Sequence, residues 1–267
     1  MSLRKRAKMF LAVDVGNTQT VLGLYEDERL LAHWRIATVA TDTSDELDVR
    51  IRSLLALGAL DSAAITDVGI ASVVPPLTEQ WHLVAARHAS AEPLILDSTL
   101  DIGLPIAYAN PSEIGADRLA DAVAAIKLYG APVIVVDFGT ATNIEVIDKT
   151  GTFLGGVIAP GLVTSAEALF NAAARLAKTS IEVPATVIGS TTKTAVQSGL
   201  TFGEIDRIDG LIRRVFDELG YKATVVATGG LSARVIDLST TIDIVNDNLT
   251  LEGLRLIYQR VCGCRFR

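Results

Sequence analysis

Along this chain, short β-branched apolar runs alternate with stretches in which apolar residues recur at helical spacing. Phe10 to Val13 reads as a strand and ends in Asp14-Val15-Gly16-Asn17-Thr18-Gln19-Thr20. Val21 to Tyr25 predicts a second strand, Glu26 to Arg29 a polar turn, and Leu30 to Ile36 a third strand. Between Ser44 and Leu57, residues Leu47, Ile51, Leu54 and Leu55 share one helical face, with Ser44 as candidate N-cap and Gly58 near the stop. Val68 to Val74 predicts a buried strand ending at two prolines, Leu77 to His88 a helix, and Pro93 to Leu96 a strand. This alternation is the mark of a sheet with crossover helices.

A second series begins near Asn110. Leu119 to Leu128 is an apolar run of helical type closed by Gly130, and Pro132 to Val136 suits a strand buried on both faces. That strand runs into Asp137-Phe138-Gly139-Thr140-Ala141-Thr142-Asn143. Gly155-Gly156 and Pro160-Gly161 predict a tight turn. Leu162 to Leu176 is an Ala-rich helix, Lys178 to Thr192 a loop, and Ala195 to Leu219 one or two helices. Ala223 to Ala227 is a strand that enters Thr228-Gly229-Gly230, and Leu249 to Gln259 predicts a closing helix.

The two series repeat one another. Ala12 to Thr18 parallels Val135 to Ala141, and Val21 to Tyr25 parallels Ile144 to Asp148. Each copy is strand, glycine-threonine loop, strand, turn, strand. Duplication of this kind predicts two α/β domains facing each other across a cleft. The expected limits are a disordered or artificial tail over 1–8, an N-terminal domain over 9–116 and a C-terminal domain over 117–267.

Composition narrows the class. The 267 residues are 49% hydrophobic and 21% charged, as in globular proteins. A net charge of -7 argues against nucleic acid as the main partner. No apolar run approaches the ~20 residues of a membrane span, and Met9 to Val13 is too short for a signal peptide, so a cytoplasmic location is expected. Cys262 and Cys264 form a C-x-C pair without further ligands nearby, a poor metal site. His33, His82 and His88 stand apart from any ligand motif.

Asp14 and Asp137 each end a β-branched strand before a glycine. Asp and Gly are common turn residues, which is one reading of either alone. Their matched positions in the repeat favour the other, in which loop amides and hydroxyls face a phosphate. Asp14 would then hold a hydrated Mg²⁺, an ion that favours one or two carboxylates plus phosphate oxygens. The chain has no G-x-x-x-x-G-K-[ST] sequence and is no P-loop protein. Asp117 and Arg118 lie near a helix start. Asp117 is either a residue favoured there by the helix dipole or a catalytic base. Asp121, four residues on, shares its helix face, so each carboxylate is expected to perturb the other.

Taken in order, Asp14-Val15-Gly16-Asn17-Thr18, Pro111-x-x-x-Gly115-Ala116-Asp117-Arg118, Asp137-Phe138-Gly139-Thr140-Ala141-Thr142, Gly155-Gly156-Val157-Ile158-Ala159-Pro160-Gly161 and Thr228-Gly229-Gly230 make the chain resemble type III pantothenate kinases. These belong to the actin/hexokinase/Hsp70-like superfamily. The resemblance implies duplicated actin-like (ribonuclease H-like) domains, each a mixed sheet with flanking helices. It implies ATP-dependent phosphorylation of pantothenate, the first step toward coenzyme A, by a homodimer. It implies Asp117 as proton acceptor, and Tyr108, Gly115, Ala116, Asp117, Arg118 and Thr192 as substrate-binding residues. Asp14, Val15, Gly16, Asn17, Thr18, Gln19, Thr20, Val21 and Thr140 would bind ATP. Asp137 would hold a monovalent cation, K⁺ or NH₄⁺. Asp121 and Asn143 depart from the family's usual residues. Two other readings stand beside this one: a kinase of the same fold acting on another small alcohol, and a non-catalytic relative serving as a ligand-binding transcription accessory factor.

Overall fold

The computed structural model describes residues 9–173, 175–230, 232 and 236–263. The expected tail over 1–8 and Cys264 lie outside the described residues. The chain divides into two compact units. One comprises residues 1–104, 109–124 and 249–267, the other 105–108 and 125–248.

The first unit is built on β1 (Met9–Val15), β2 (Gln19–Glu26), β3 (Arg29–Ala37), β4 (Ile65–Ser72) and β5 (Leu94–Ile95), in the order β3-β2-β1-β4-β5. β1 pairs antiparallel with β2 and parallel with β4. Alternation along β1 sends Leu11, Val13 and Val15 to one face, where they join Leu47, Ile51 and Leu55 of α1 (Ser44–Leu57) and Trp81 and Val84 of α2 (Pro75–His88). The other face carries Phe10, which stacks 4.9 Å from Tyr258 of α6 (Leu249–Val261). Both faces of β1 are therefore covered, which is why its sequence is almost continuously apolar. The hydroxyl of buried Tyr258 donates to Asp67 Oδ1 at 2.6 Å, so burial costs that group no hydrogen bond. α3 (Ala116–Tyr129) begins in this unit. A Cβ on Gly253 would strike the backbone of Ala120, so glycine lets α6 and α3 approach closely.

The second unit repeats the plan. β6 (Val133–Phe138), β7 (Ala141–Ile147), β8 (Phe153–Pro160), β9 (Thr224–Thr228) and β10 (Ile244–Val245) run in the order β10-β9-β6-β7-β8. The meander is again antiparallel, and β9 again pairs parallel with the first strand. Ile205, Ile208 and Ile212 of α5 (Thr192–Leu219) pack on Ile134, Val136, Ile144 and Val225. α5 is also pinned by Asp209, which accepts hydrogen bonds from Ser239, Thr240 and Thr241. Burial alone would raise the Asp209 carboxyl, but these bonds outweigh it and hold it at about 2.

Several boundaries differ from expectation. The division into units falls inside α3 and not at 116/117, and α6 belongs with the first sheet. Its stripe of Leu251, Leu254, Ile257 and Tyr258 is buried there, a pairing that chain order cannot announce. Residues 155–160 continue β8 and form no tight turn. The glycine at 156 is needed because a Cβ would strike the Ile144 carbonyl of the neighbouring strand. Thr43, not Ser44, caps α1: its side chain accepts from Glu46 N, and Glu46 reaches back in a capping box. Pro75 and Pro76 open α2, where missing N–H groups cost nothing. α5 is one helix of 28 residues.

Candidate active site

In the first unit, the residues of interest gather at the C-terminal end of β1. Asp14 lies across from Val21 on β2 and beside Ala71 on β4. Its carboxylate is half-buried, whereas Asn17, Thr18 and Gln19 are exposed. The loop closes on itself: Gly16 N–H donates to the Gln19 carbonyl at 3.0 Å. A Cβ on Gly16 would sit 2.9 Å from that backbone oxygen, so any other residue there would force the turn itself to shift. Thr20 and Val21 belong to β2, and the Thr20 side chain is buried.

The end of β4 joins this region through Val73, whose N–H donates to the Val15 carbonyl at 3.0 Å. Val73 also touches the space beside Gly115. After a 3₁₀ turn over Pro111–Glu113, the chain reaches Gly115 and α3. Leu119 N–H donates to the Gly115 carbonyl, which starts the helix. Asp117 is thus in the first turn, and its Oδ1 accepts from the Arg118 N–H at 2.8 Å. Burial raises the Asp117 carboxyl above the ordinary carboxylate value, against the opposing pull of Arg118. A carboxylate made more basic in this way is a better proton acceptor near neutral pH. Asp121, one helical turn on, is buried as well, and burial is the largest cause of the Asp117 shift.

In the second unit three glycine loops converge. Asp137 is the last residue but one of β6, in register with Asn143 on β7 and Thr228 on β9. Gly229, at φ +90°, lies against it: a Cβ there would sit 2.5 Å from Asp137 Oδ1 and 2.7 Å from Phe138 N. The Thr140 carbonyl accepts from Gly161 N–H at 3.1 Å and from Thr164 Oγ1 at 2.6 Å, which leaves the Thr140 side chain exposed at the loop tip. Beneath the loop, Thr142 Oγ1 donates to buried Glu204 Oε1 at 2.7 Å. Arg207 bonds both Glu204 and the Pro160 carbonyl. The motifs D-F-G-T-A-T, P-G and T-G-G, far apart in sequence, are therefore one structure.

Of the remaining expected substrate residues, Tyr108 belongs to the second unit, where its ring packs edge-on against Phe153 and over Gly155. Thr192 is exposed at the first turn of α5, after the N-cap Thr191. Residues missed in the sequence are Thr38, Val73, Thr164 and Glu204. None belongs to a motif, and their roles come from pairings between distant segments.

Among the described residues, no group of three or more His, Cys, Asp or Glu could hold a metal ion. Asp14 and Asp137 are single carboxylates beside loop carbonyls and hydroxyls. That oxygen-only donor set fits a hard cation completing its shell with phosphate oxygens and water.

The family model described as type III pantothenate kinase matches residues 10–214. The chain is 45% identical over 252 residues to a type III pantothenate kinase of Anaeromyxobacter sp. (strain Fw109-5), covering 94% of this chain and 99% of the relative. It is 45% identical over 262 residues to one of Koribacter versatilis, covering 94% and 96%. Among solved structures it is similar to a Baf family protein of Campylobacter jejuni, with a TM-score of 0.61, 19% identity and coverage of 95% and 100%. It is also similar to a ROK hexokinase of Thermus thermophilus, with a TM-score of 0.51, 11% identity and coverage of 95% and 99%. At those identities the structures speak only for the fold, which is α/β and of actin/hexokinase type. The sequence relatives carry more: with matches over nearly the whole length of both chains, this chain belongs to the type III pantothenate kinase family.

Proposed function

We propose that this protein transfers the γ-phosphoryl group of ATP to the primary hydroxyl of pantothenate, giving 4'-phosphopantothenate and ADP. Family membership supports the substrates, and the observation that carries the chemistry is Asp117. Its carboxylate stands in the first turn of α3, is made more basic by burial and is held by the Arg118 amide. As the pantothenate oxygen attacks phosphorus in line, Asp117 takes the hydroxyl proton. The new O–P bond forms while the bond to the bridging oxygen of ADP breaks. Gly115, Ala116, Arg118, Tyr108 and Thr192 are the proposed pantothenate ligands. The loop from Asp14 to Val21 and Thr140 are the proposed ATP ligands, through amides and hydroxyls that replace water around the phosphates. Phosphoryl transfer asks mainly for positioning and charge neutralisation. A Mg²⁺ at Asp14 and K⁺ or NH₄⁺ at Asp137 would supply positive charge to the phosphates.

The protein is further proposed to be a cytoplasmic homodimer. No helix among the described residues is long and apolar enough to cross a membrane. β8 is an edge strand with Leu154 and Ile158 exposed, an apolar face suited to a second copy.

The deciding measurement is ADP release by the full chain with ATP and pantothenate, with phosphopantothenate identified by mass. Turnover with sugars or other alcohols alone would make it a different kinase. Binding of both ligands without ADP release would make it the non-catalytic accessory factor.

A further inference from the structure

Thr38 is the first residue beyond β3, outside every motif, yet it makes three contacts with the Asp14 loop. Its Oγ1 donates to the Gly16 carbonyl at 2.8 Å. Its N–H donates to the Thr18 carbonyl at 2.9 Å. Its Oγ1 also lies 2.9 Å from Oγ1 of Thr20, which is 1% exposed. A hydroxyl has one proton. With that proton on the Gly16 carbonyl, the Thr20 hydroxyl must be the donor to Thr38. Two carbonyls of the loop and one buried hydroxyl are thus tied to a single residue just beyond a neighbouring strand.

The direction of these bonds has a consequence. A trans peptide is planar, with its C=O and the following N–H pointing opposite ways. Drawing the Gly16 carbonyl toward Thr38 turns the Asn17 N–H away from Thr38. Asn17 and Thr18, which follow that peptide, are both exposed. Without the tie, the Gly16–Asn17 peptide can rotate, since glycine tolerates nearly all backbone angles. The loop would then spend part of its time with a carbonyl, not an amide, at the position offered to an anion.

We propose that Thr38 is a positioning residue that sets the Asp14 loop for a nucleotide phosphate by fixing the Gly16–Asn17 peptide. This rests on the reading of that loop as the ATP loop. Thr38 touches no reacting atom; it acts through Gly16 and Thr18.

The test compares Thr38→Val, Thr38→Ser and Asp14→Asn with the unaltered full chain. It measures steady-state kinetics against each substrate, titration with a non-hydrolysable ATP analogue, and thermal melting. Valine keeps the shape and the backbone N–H but loses the hydroxyl. Loss of the bond to the Gly16 carbonyl is expected to raise KM for ATP and the analogue Kd about tenfold. KM for pantothenate should stay within about twofold, and serine should restore most of the ATP affinity. The proposal is overturned if Thr38→Val binds the analogue as the unaltered chain does while Asp14→Asn does not. It is equally overturned if valine lowers melting and depresses both substrates alike, for then Thr38 is only structural. If neither Thr38→Val nor Asp14→Asn changes ATP affinity, the loop is not the ATP loop, and both readings fall together.

Discussion

Gly115 and Asp117 divide one small space: a Cβ on Gly115 would collide with Oδ1 of Asp117 and sit 3.3 Å from Cγ1 of Val73. The absent side chain is what lets the carboxylate lie where it does. Gly115→Ala should leave the fold intact, because a carboxylate can swing aside. The proposed base would be displaced, and a shift of about 1 Å can cost on the order of 10²-fold in rate. Melting within about 2 °C of the unaltered chain, with kcat down at least tenfold, is the expected pair of results. Unchanged kcat would remove Asp117 from the chemistry.

Asp117→Asn should lower kcat by roughly 10²–10⁴. The pH behaviour gives a second readout. Because burial raises its carboxyl in the folded chain, Asp117 binds a proton at higher pH folded than unfolded. Its ionisation therefore costs stability, and that cost grows as pH rises from the ordinary carboxylate value through the folded one. The asparagine variant should melt no lower than the unaltered chain at neutral pH. The acid limb of kcat/KM, set by Asp117 in the unaltered enzyme, should lie above the ordinary carboxylate value. Retention of more than about a tenth of kcat by the variant would assign the base elsewhere.

Activity should depend on a monovalent cation through Asp137. Replacing K⁺ and NH₄⁺ by Na⁺ or a bulky organic cation at fixed ionic strength is expected to lower the rate strongly. Asp137→Asn should abolish the difference between the salts. Equal rates of the unaltered chain in all salts would show that no such site operates.

Buried Glu204 holds the buried Thr142 hydroxyl and the half-buried Arg207 guanidinium of the second unit. Glu204→Ala leaves the Thr142 hydroxyl and the Arg207 guanidinium without their carboxylate. A loss of roughly 2 kcal/mol is expected, from the buried Thr142 hydroxyl left without its acceptor and the charge-assisted bond lost at Arg207. Urea unfolding measures it, and a loss below about 1 kcal/mol would show that water replaces the carboxylate.

The exposed Ile158 on edge strand β8 is the place to break a dimer. Light scattering should report a dimer at micromolar concentration for the unaltered chain and a monomer for Ile158→Glu. A fully active monomer in the unaltered chain would refute the assembly.

Much of the architecture was legible because it rests on local pattern. Short apolar runs bounded by polar or glycine-bearing turns located β1 to β7 and β9. The likeness of Asp14 to Thr18 and Asp137 to Ala141 announced two sheets of the same strand order. Glycines were less legible. Gly156 reads as a turn residue, yet it serves a strand, because the demand comes from the Ile144 carbonyl of a neighbouring strand.

The amino-acid sequence by itself determined the repeat, the strand-end carboxylates Asp14 and Asp137, and the Gly115 to Arg118 motif, since each is written in adjacent residues. Only the tertiary structure decided that α6 covers the first sheet, that Gly229 lies against Asp137 and that Thr38 ties down Gly16. Those are contacts between segments far apart in the chain. Their specificity lies in the fit of a missing Cβ or the direction of one hydroxyl proton, and no spacing rule along a sequence encodes either.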